Sequence, residues 1–408
     1  MDLYFYITLI AIVPQLLFLI PAYSNYRYAL SKYTRKRLWY RPRTVLLVPC
    51  KDIDPSFQKN ISSFFNQDYE NYLLWFVVAQ KSDPAYNELC KLKDQLSRSS
   101  KALDVQVFVA GQGQSGACSQ KIHNLLYCYR KISDDVEILA FADSDVCIRS
   151  DWLSHIVYPL RQAKNGAASG YRWFVPKRNN LASLALSAVN AKIAQLLGNT
   201  IFNQAWGGSM AIRADVFRRL GLEKIWSKAL SDDLSLSGAV KKAGLKVAFV
   251  PACLVASYES TTWRELFEFG RRQFLITRIS RPATWWFGLC SSLYSVLGLW
   301  GTVALAVRAA LAGEENLLFF VALPVLFLAS QMARAILRQT MISKLLEEDR
   351  PRMRTVAAAA DIFFPWIWSL LLLVFVISSA FGNTICWRGI RYKLLGPTET
   401  IVLGNSSR

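Results

Sequence analysis

Three acidic features have the residue types and spacing to do chemistry: Asp83, the pair in Asp143-Ser144-Asp145, and the adjacent Asp232-Asp233. In EILAFADSDVCI the first pair ends an apolar run. Carboxylates there are costly unless a cation joins them. Oxygen-rich pairs suit Mn²⁺ or Mg²⁺, which keep waters and bridge to diphosphate oxygens. A metal held so offsets the charge of a departing nucleotide diphosphate. A solvated turn after a strand gives the same short motif, so the weight rests on its company.

That company follows a fixed order. VLLVPCKDID ends an apolar run at Pro49 in a polar turn where a nucleotide base could dock. LLWFVVAQKSDPAY ends a second run at Asp83-Pro84. In SGACSQKIHNLL, Lys121 opens a helix and is placed to pair with a phosphate. Gly207-Gly208, in AWGGSMAIRADVF, let a backbone approach a ligand closely, although a tight turn uses the same residues. Ser231-Asp232-Asp233 suit a helix N-terminus, where one carboxylate is enough to cap. The second is spare and could serve as general base toward a hydroxyl. WRELFEFGRRQFLITRISR directs Arg271, Arg272 and Gln273 toward a diphosphate and its apolar residues toward a bilayer surface. Snorkelling arginines on a membrane-surface helix make the same pattern.

The elements that must position these residues read as α/β. Strand candidates are Thr44–Pro49, Leu73–Ala79, Val105–Ala110, Ile138–Ala142 and Lys246–Val250. Helix candidates are Ser56–Asn66, Asp83–Ser97, Gln120–Lys131, Leu153–Ala163, Leu181–Leu197 and Asp233–Ala243. Near-continuous apolar strands alternating with helices imply a mostly parallel sheet covered on both faces. Ligands then bind at the carboxyl ends of its strands, where Asp143 and Asp145 fall. This domain is expected over residues 43–280.

On either side the chain reads as membrane-embedded. Its 408 residues are 53% hydrophobic and carry a net charge of +19, with a mean hydropathy of +0.21. Residues 1–26 form an expected anchor, whose apolar part is 3–23. Arg27, Lys32, Arg35, Lys36, Arg37, Arg41 and Arg43 follow, which places the catalytic domain on the cytoplasmic side. Residues 284–381 supply three candidate spans, about 284–311, 317–337 and 362–381. The last two enclose the amphipathic, basic QTMISKLLEEDRPRMR; residues 382–408 form a basic tail expected in the cytoplasm. Three crossings would end on the far side, so one of the three is expected to be re-entrant or interfacial. A basic chain can also bind nucleic acid, but the basic residues lie beside apolar spans, not on a separate arm, and no nucleic-acid partner is expected. The eight cysteines include no CxxC pair and suit reduced thiols. With only His123 and His155, a His-rich metal site is excluded.

The order of motifs resembles the inverting family 2 glycosyltransferases, and among them the ceramide glucosyltransferase group. The resemblance covers nearly the whole chain, down to NTICWRGIRYKL near the end. It implies an A-type glycosyltransferase (nucleotide-diphospho-sugar transferase) fold with flanking transmembrane helices. It implies a sugar nucleotide, UDP-glucose being the group's favoured donor, and a ceramide-like membrane lipid as acceptor. Pro49, Asp83, Lys121, Asp143, Gly208, Arg271, Arg272 and Gln273 would bind the nucleotide sugar, and KIHN resembles the group's Lys-x-x-Asn at Lys121 and Asn124. Asp143 and Asp145 would hold Mn²⁺ or Mg²⁺, and Asp232-Asp233 would be catalytic, with Asp233 the base. One departure stands out: the family's Gln/Arg-x-x-Arg-Trp is here Gly270-Arg271-Arg272-Gln273-Phe274, with Arg271 and Arg272 as substitutes. Alternatives are transfer to a hopanoid or diacylglycerol, a processive polysaccharide synthase, and a catalytically silent membrane scaffold on the same fold.

Overall fold

The computed structural model describes residues 2–34, 39–113, 117–347 and 356–405. Arg35, Lys36 and Arg37, and residues 348–354 of the amphipathic segment, lie outside the described residues. A seven-stranded sheet forms the centre: β1 (Thr44–Pro49), β2 (Tyr72–Val78), β3 (Asp104–Val109), β4 (Ile138–Ala142), β5 (Asn165–Pro176), β6 (Ser209–Arg213) and β7 (Lys246–Glu259). Its order is β3-β2-β1-β4-β6-β5-β7. All pairs are parallel except those made by β6, which runs antiparallel to β4 and β5. β1, β2 and β4 are apolar and buried on both faces, as central parallel strands require.

The helices α3 (Phe57–Phe65), α4 (Pro84–Leu96) and α5 (Gln120–Tyr129) alternate with these strands. After β4 come α6 (Trp152–Val157), α7 (Leu181–Ala194), α8 (Ala214–Arg219), α9 (Leu222–Trp226) and α10 (Asp232–Lys242). One face of the sheet packs Phe57, Phe64 and Trp152 and the other packs Phe141, Phe217 and Trp226, which gives two apolar layers. The five strands read from sequence are present. β5 and β6 were not expected, because their NGAASG and SMA stretches lack the branched residues of a typical strand. Small residues are needed there for close approach. A Cβ on Gly170 would lie 1.9 Å from the Cys253 carbonyl oxygen and 2.4 Å from Ser209 Oγ.

Helix α1 (Asp2–Leu17) and helix α2 (Leu19–Tyr33) replace the single N-terminal anchor helix expected from sequence. After α11 (Trp263–Ser280), α12 (Pro282–Leu311) and α13 (Leu317–Leu345) are long and apolar enough to cross a membrane. The third expected span is instead a pair, α14 (Val356–Phe363) and α15 (Pro365–Ser378), bent by 82°. Pro365 starts the second helix, a position where its missing N–H is harmless. The expected basic tail is a three-stranded antiparallel sheet, β8 (Thr384–Trp387), β9 (Ile390–Gly396) and β10 (Glu399–Asn405). Ile385, Tyr392 and Leu394 of this sheet pack on Leu275 and Ile276 of α11. The chain thus returns from its long apolar helices to the α/β domain.

Gly170→Ala is expected to destabilise the protein by about 3 kcal/mol, since its methyl meets backbone that cannot yield. Gly301→Ala, where a Cβ meets nothing within 4 Å, lies inside helix α12 and should leave the melting temperature of the detergent-purified protein no lower than that of wild type.

Candidate active site

The acids gather at the strand ends, at the mouth of a cavity of about 1600 Å³. β4 delivers Asp143 and Asp145 as it leaves the sheet, and α10 delivers Asp232 and Asp233 in its first turn. Between them stands Lys121, on the first turn of α5. Its Nζ lies 2.7 Å from Asp143 Oδ1 and 3.0 Å from Asp232 Oδ2, an ion pair with each. Asp232 Oδ2 has no aligned hydrogen-bond donor.

The electrostatics follow from burial and this shared cation. Burial pulls Lys121 down, but Asp143 and Asp232 more than offset it, so the ammonium is held charged. Burial pushes Asp143 up, but Lys121, with Arg172 and Arg388 behind it, leaves the group below the usual carboxylate range. Asp232 is 3% exposed. Burial, then Asp233 and Asp143, push it up against the pull of Lys121, to about 6.

Asp233 is less buried than its neighbour and differently held. Gly207 N–H donates to its Oδ2 at 3.1 Å, and Leu234 N–H to its Oδ1 at 2.7 Å. The Ser231 hydroxyl donates to the same Oδ1 and also caps α10. The helix-cap reading of Ser231-Asp232-Asp233 is therefore correct, and the two carboxylates still face one cavity. A Cβ on Gly207 would lie 2.6 Å from both Asp232 Oδ2 and Lys121 Nζ, so glycine is required for the acids and Lys121 to close around it. Gly208 instead lies beneath the ring of Trp206.

Asp83 caps α4 and bridges two strand ends, accepting from Ala85 N–H and from Asp52 N–H, each at 3.0 Å. Pro49 lines the same corner, and Asn124 sits one helical turn past Lys121, also on the cavity. Arg272 and Gln273 line the cavity from α11. Arg271 turns elsewhere: it donates to the Phe381 carbonyl at 2.8 Å. With Arg278, which donates to the Ala380 and Gly382 carbonyls, it secures the link into the C-terminal sheet.

Two arginines in the site were not singled out from sequence. Arg172, on the unexpected strand β5, reaches Asp145 at 3.2 Å and stacks 4.9 Å over Trp206. Arg388 forms the β8–β9 turn with Gly389, both at positive φ (47° and 79°). Lys51 Nζ donates to the Arg388 carbonyl at 2.9 Å, and Arg388 donates back to the Lys51 carbonyl at 3.1 Å. The tail sheet thereby closes over the corner formed by Pro49 and Asp52. The WRG of the tail was the available signal, since Arg-Gly between alternating apolar residues is hairpin chemistry.

Among the described residues, no three His, Cys, Asp or Glu side chains converge to hold an ion alone. Asp143 and Asp145 nevertheless have the right donor chemistry for Mn²⁺ or Mg²⁺. Such ions take one or two carboxylates and complete their shell with water and phosphate oxygens.

A mostly parallel sheet carries this acidic mouth, and two of the flanking helices are long and apolar enough to cross a membrane. The chain belongs to glycosyl transferase family 21, whose family model matches residues 4–399. The glycosyltransferase expected from the motifs is thus shown, with family 21, of the ceramide glucosyltransferase type, as the family whose model matches. Among solved structures, the fold is similar to mannosyltransferase PcManGT from Pyrobaculum calidifontis in complex with GDP-Man and Mn²⁺. Identity is 16% and the TM-score 0.45, over 91% of this chain and 97% of that one. GalNAc-T7 with UDP, GalNAc and Mn²⁺ is also similar, at 13% identity and a TM-score of 0.38, over 59% of this chain and 51% of that one.

Lys121→Met leaves Asp143 and Asp232 facing each other without their cation. Loss of a partner from a buried ion pair costs about 3–5 kcal/mol. A large fall in melting temperature is expected, and Asp232→Asn added to it should restore part of the loss. Equal melting temperatures for Lys121→Met and wild type would refute the charge bridge.

Proposed function

We propose that the protein is an inverting, metal-assisted hexosyltransferase that moves glucose from UDP-glucose to a hydroxyl of a ceramide-like membrane lipid. The observation that carries this reading is the continuity of one cavity. Its lining runs from Pro49, Asp83 and Asp143 at the strand ends to Phe18, Ser292 and Ser369 among the apolar helices. A polar donor and a lipid acceptor thus have one meeting place.

In this reading Pro49 and Asp83 mark the nucleotide corner, closed by the β8–β9 turn. Asp143 and Asp145 would hold the Mn²⁺ or Mg²⁺, whose chemistry when bound is to offset the diphosphate's negative charge. Arg172 holds Asp145 in place, and Arg388 and Arg272 add positive charge on the cavity side. Lys121 fixes Asp143 relative to Asp232, so the acids of β4 and α10 keep one spacing. Asp233 is the base. It is the more accessible of its pair, and its carboxylate has about four acceptor positions, of which the three donors leave one for a hydroxyl. The acceptor oxygen attacks the anomeric carbon, its proton passes to Asp233, and the bond to the diphosphate oxygen breaks. Attack opposite the leaving group inverts the centre. The basic residues Arg27, Lys32, Arg41 and Arg43, beside the helices, support a cytoplasmic catalytic domain, where sugar nucleotides are made.

The test is single-turnover transfer from UDP-glucose, with Mn²⁺, to ceramide in detergent micelles. Asp233→Asn is expected to lower the rate at least ~10²-fold, the scale of general-base loss, with UDP-glucose still bound. An unchanged rate would overturn the assignment of the base. Transfer to diacylglycerol but not to ceramide would replace the acceptor.

A further inference from the structure

Below the acids the cavity continues between α7, α12, α13 and α15, and its wall there carries charge that the transfer chemistry does not use. Arg334 of α13 lines it. Its guanidinium lies 6.0 Å over the Phe18 ring, and no carboxylate among the described residues is within ion-pair distance of it. Lys192 of α7 lines the same chamber and donates to the Pro365 carbonyl at 3.0 Å and to the Ser369 hydroxyl. Asp361, beside this chamber, is already taken. Arg338 is paired with it through Nε and Nη2, and Gln339 donates to it at 2.8 Å. Arg334 is therefore left facing the chamber without a carboxylate, and beside it the Lys192 amine, whose pKa burial and then Arg338 and Arg334 pull well below the ordinary lysine value, is a hydrogen-bond donor to the same space.

Three neutral groups on this wall lack partners as well. Gln331 Nε2, Asn190 Oδ1 and Ser292 Oγ make no hydrogen bond. Their residues are only 3%, 7% and 3% exposed, and all three line the cavity. Buried polar atoms are nearly always paired, so unpaired ones that face a cavity mark a ligand's place. The level fits a headgroup. Met341 of α13 packs against Trp173 and Phe249 of the α/β domain. At 1.5 Å per residue, Arg334 lies roughly 10 Å further along the helix, within reach of the headgroup–acyl boundary. A guanidinium there does not lose its proton and is expensive without an anion.

We propose that this chamber is a binding site for the anionic phosphodiester of a membrane lipid, with Arg334 as its main contact and Lys192 as its second. It goes beyond the reading above: the anionic lipid is a second occupant of the cavity, beside the acceptor and not identical with it. Only its neighbourhood to an acceptor rests on that reading; binding does not.

The experiment is native mass spectrometry of the full-length protein in detergent, with phosphatidylglycerol, diacylglycerol and inorganic phosphate as probes. Wild type is expected to retain phosphatidylglycerol over diacylglycerol. Arg334→Gln should weaken that retention about tenfold, as loss of a charge-assisted contact would, while Arg334→Lys recovers part of it. Lys192→Met, the second variant, should give a smaller loss of the same selectivity. Inorganic phosphate at millimolar concentration should not displace the lipid. Equal retention by Arg334→Gln and wild type, or no preference for phosphatidylglycerol, overturns the proposal. Displacement by inorganic phosphate would show a free-anion site and overturn the lipid assignment. Selective retention by a protein that shows no Asp233-dependent transfer would sink the proposed reaction and leave the subsite standing.

Discussion

The Lys121 ammonium, set between Asp143 and Asp232, is the contact on which the site depends. The two carboxylates come from elements that are distant in sequence, the end of β4 and the start of α10. Asp232 is buried and Asp143 partly so, and two carboxylates this close are tolerable only with a shared cation. One lysine on the first turn of α5 supplies it. Gly207 allows the closure, since a side chain there would push the acid and the ammonium apart. Asp233 is then set by its own donors from Gly207, Ser231 and Leu234. A second charge pair, Arg172 with Asp145, continues the same network to β5. The acids are thus spaced by the fold before any ligand arrives.

The remaining architecture places this network between water and apolar helices. The sheet brings the acids to its carboxyl edge, and α11 carries Arg272 and Gln273 along the cavity wall. Gly270 lets α11 lie closely against Phe375 of α15. Arg271 and Arg278 hold the link between α15 and the C-terminal sheet, whose turn at Arg388 is tied to Lys51. The residues that replace Arg-Trp in the family motif therefore divide their work. Arg272 and Gln273 stay at the cavity, Arg271 supports the cap, and the cap brings its own arginine.

Much of the site is readable from sequence because its parts are local. Asp143-Ser144-Asp145 ends an unmistakable apolar strand, and Ser231-Asp232-Asp233 is a recognisable helix start. The strands β1, β2, β3, β4 and β7 declare themselves by branched apolar residues. What pairing creates is not readable. Nothing local says that Lys121 meets Asp232, more than a hundred residues later. β5 is hidden because close packing against Cys253 selects glycine, alanine and serine, and Arg172 is hidden with it. The C-terminal sheet is hidden because basic residues alternate with its apolar ones, which reads as a charged tail until its inner face packs on α11. The bend at Pro365 is likewise set by how α14 and α15 pack, although the surplus crossing already called for one.

The central claim is that the acidic mouth holds a sugar nucleotide through its diphosphate and a divalent ion. Its most direct measurement is the affinity of the detergent-purified protein for UDP-glucose, with Mn²⁺ and with chelator, in wild type and in Asp143→Asn/Asp145→Asn. The account requires binding that depends on Mn²⁺ in wild type and that the double variant loses. Binding that is indifferent to Mn²⁺, or that survives in the double variant, would contradict it.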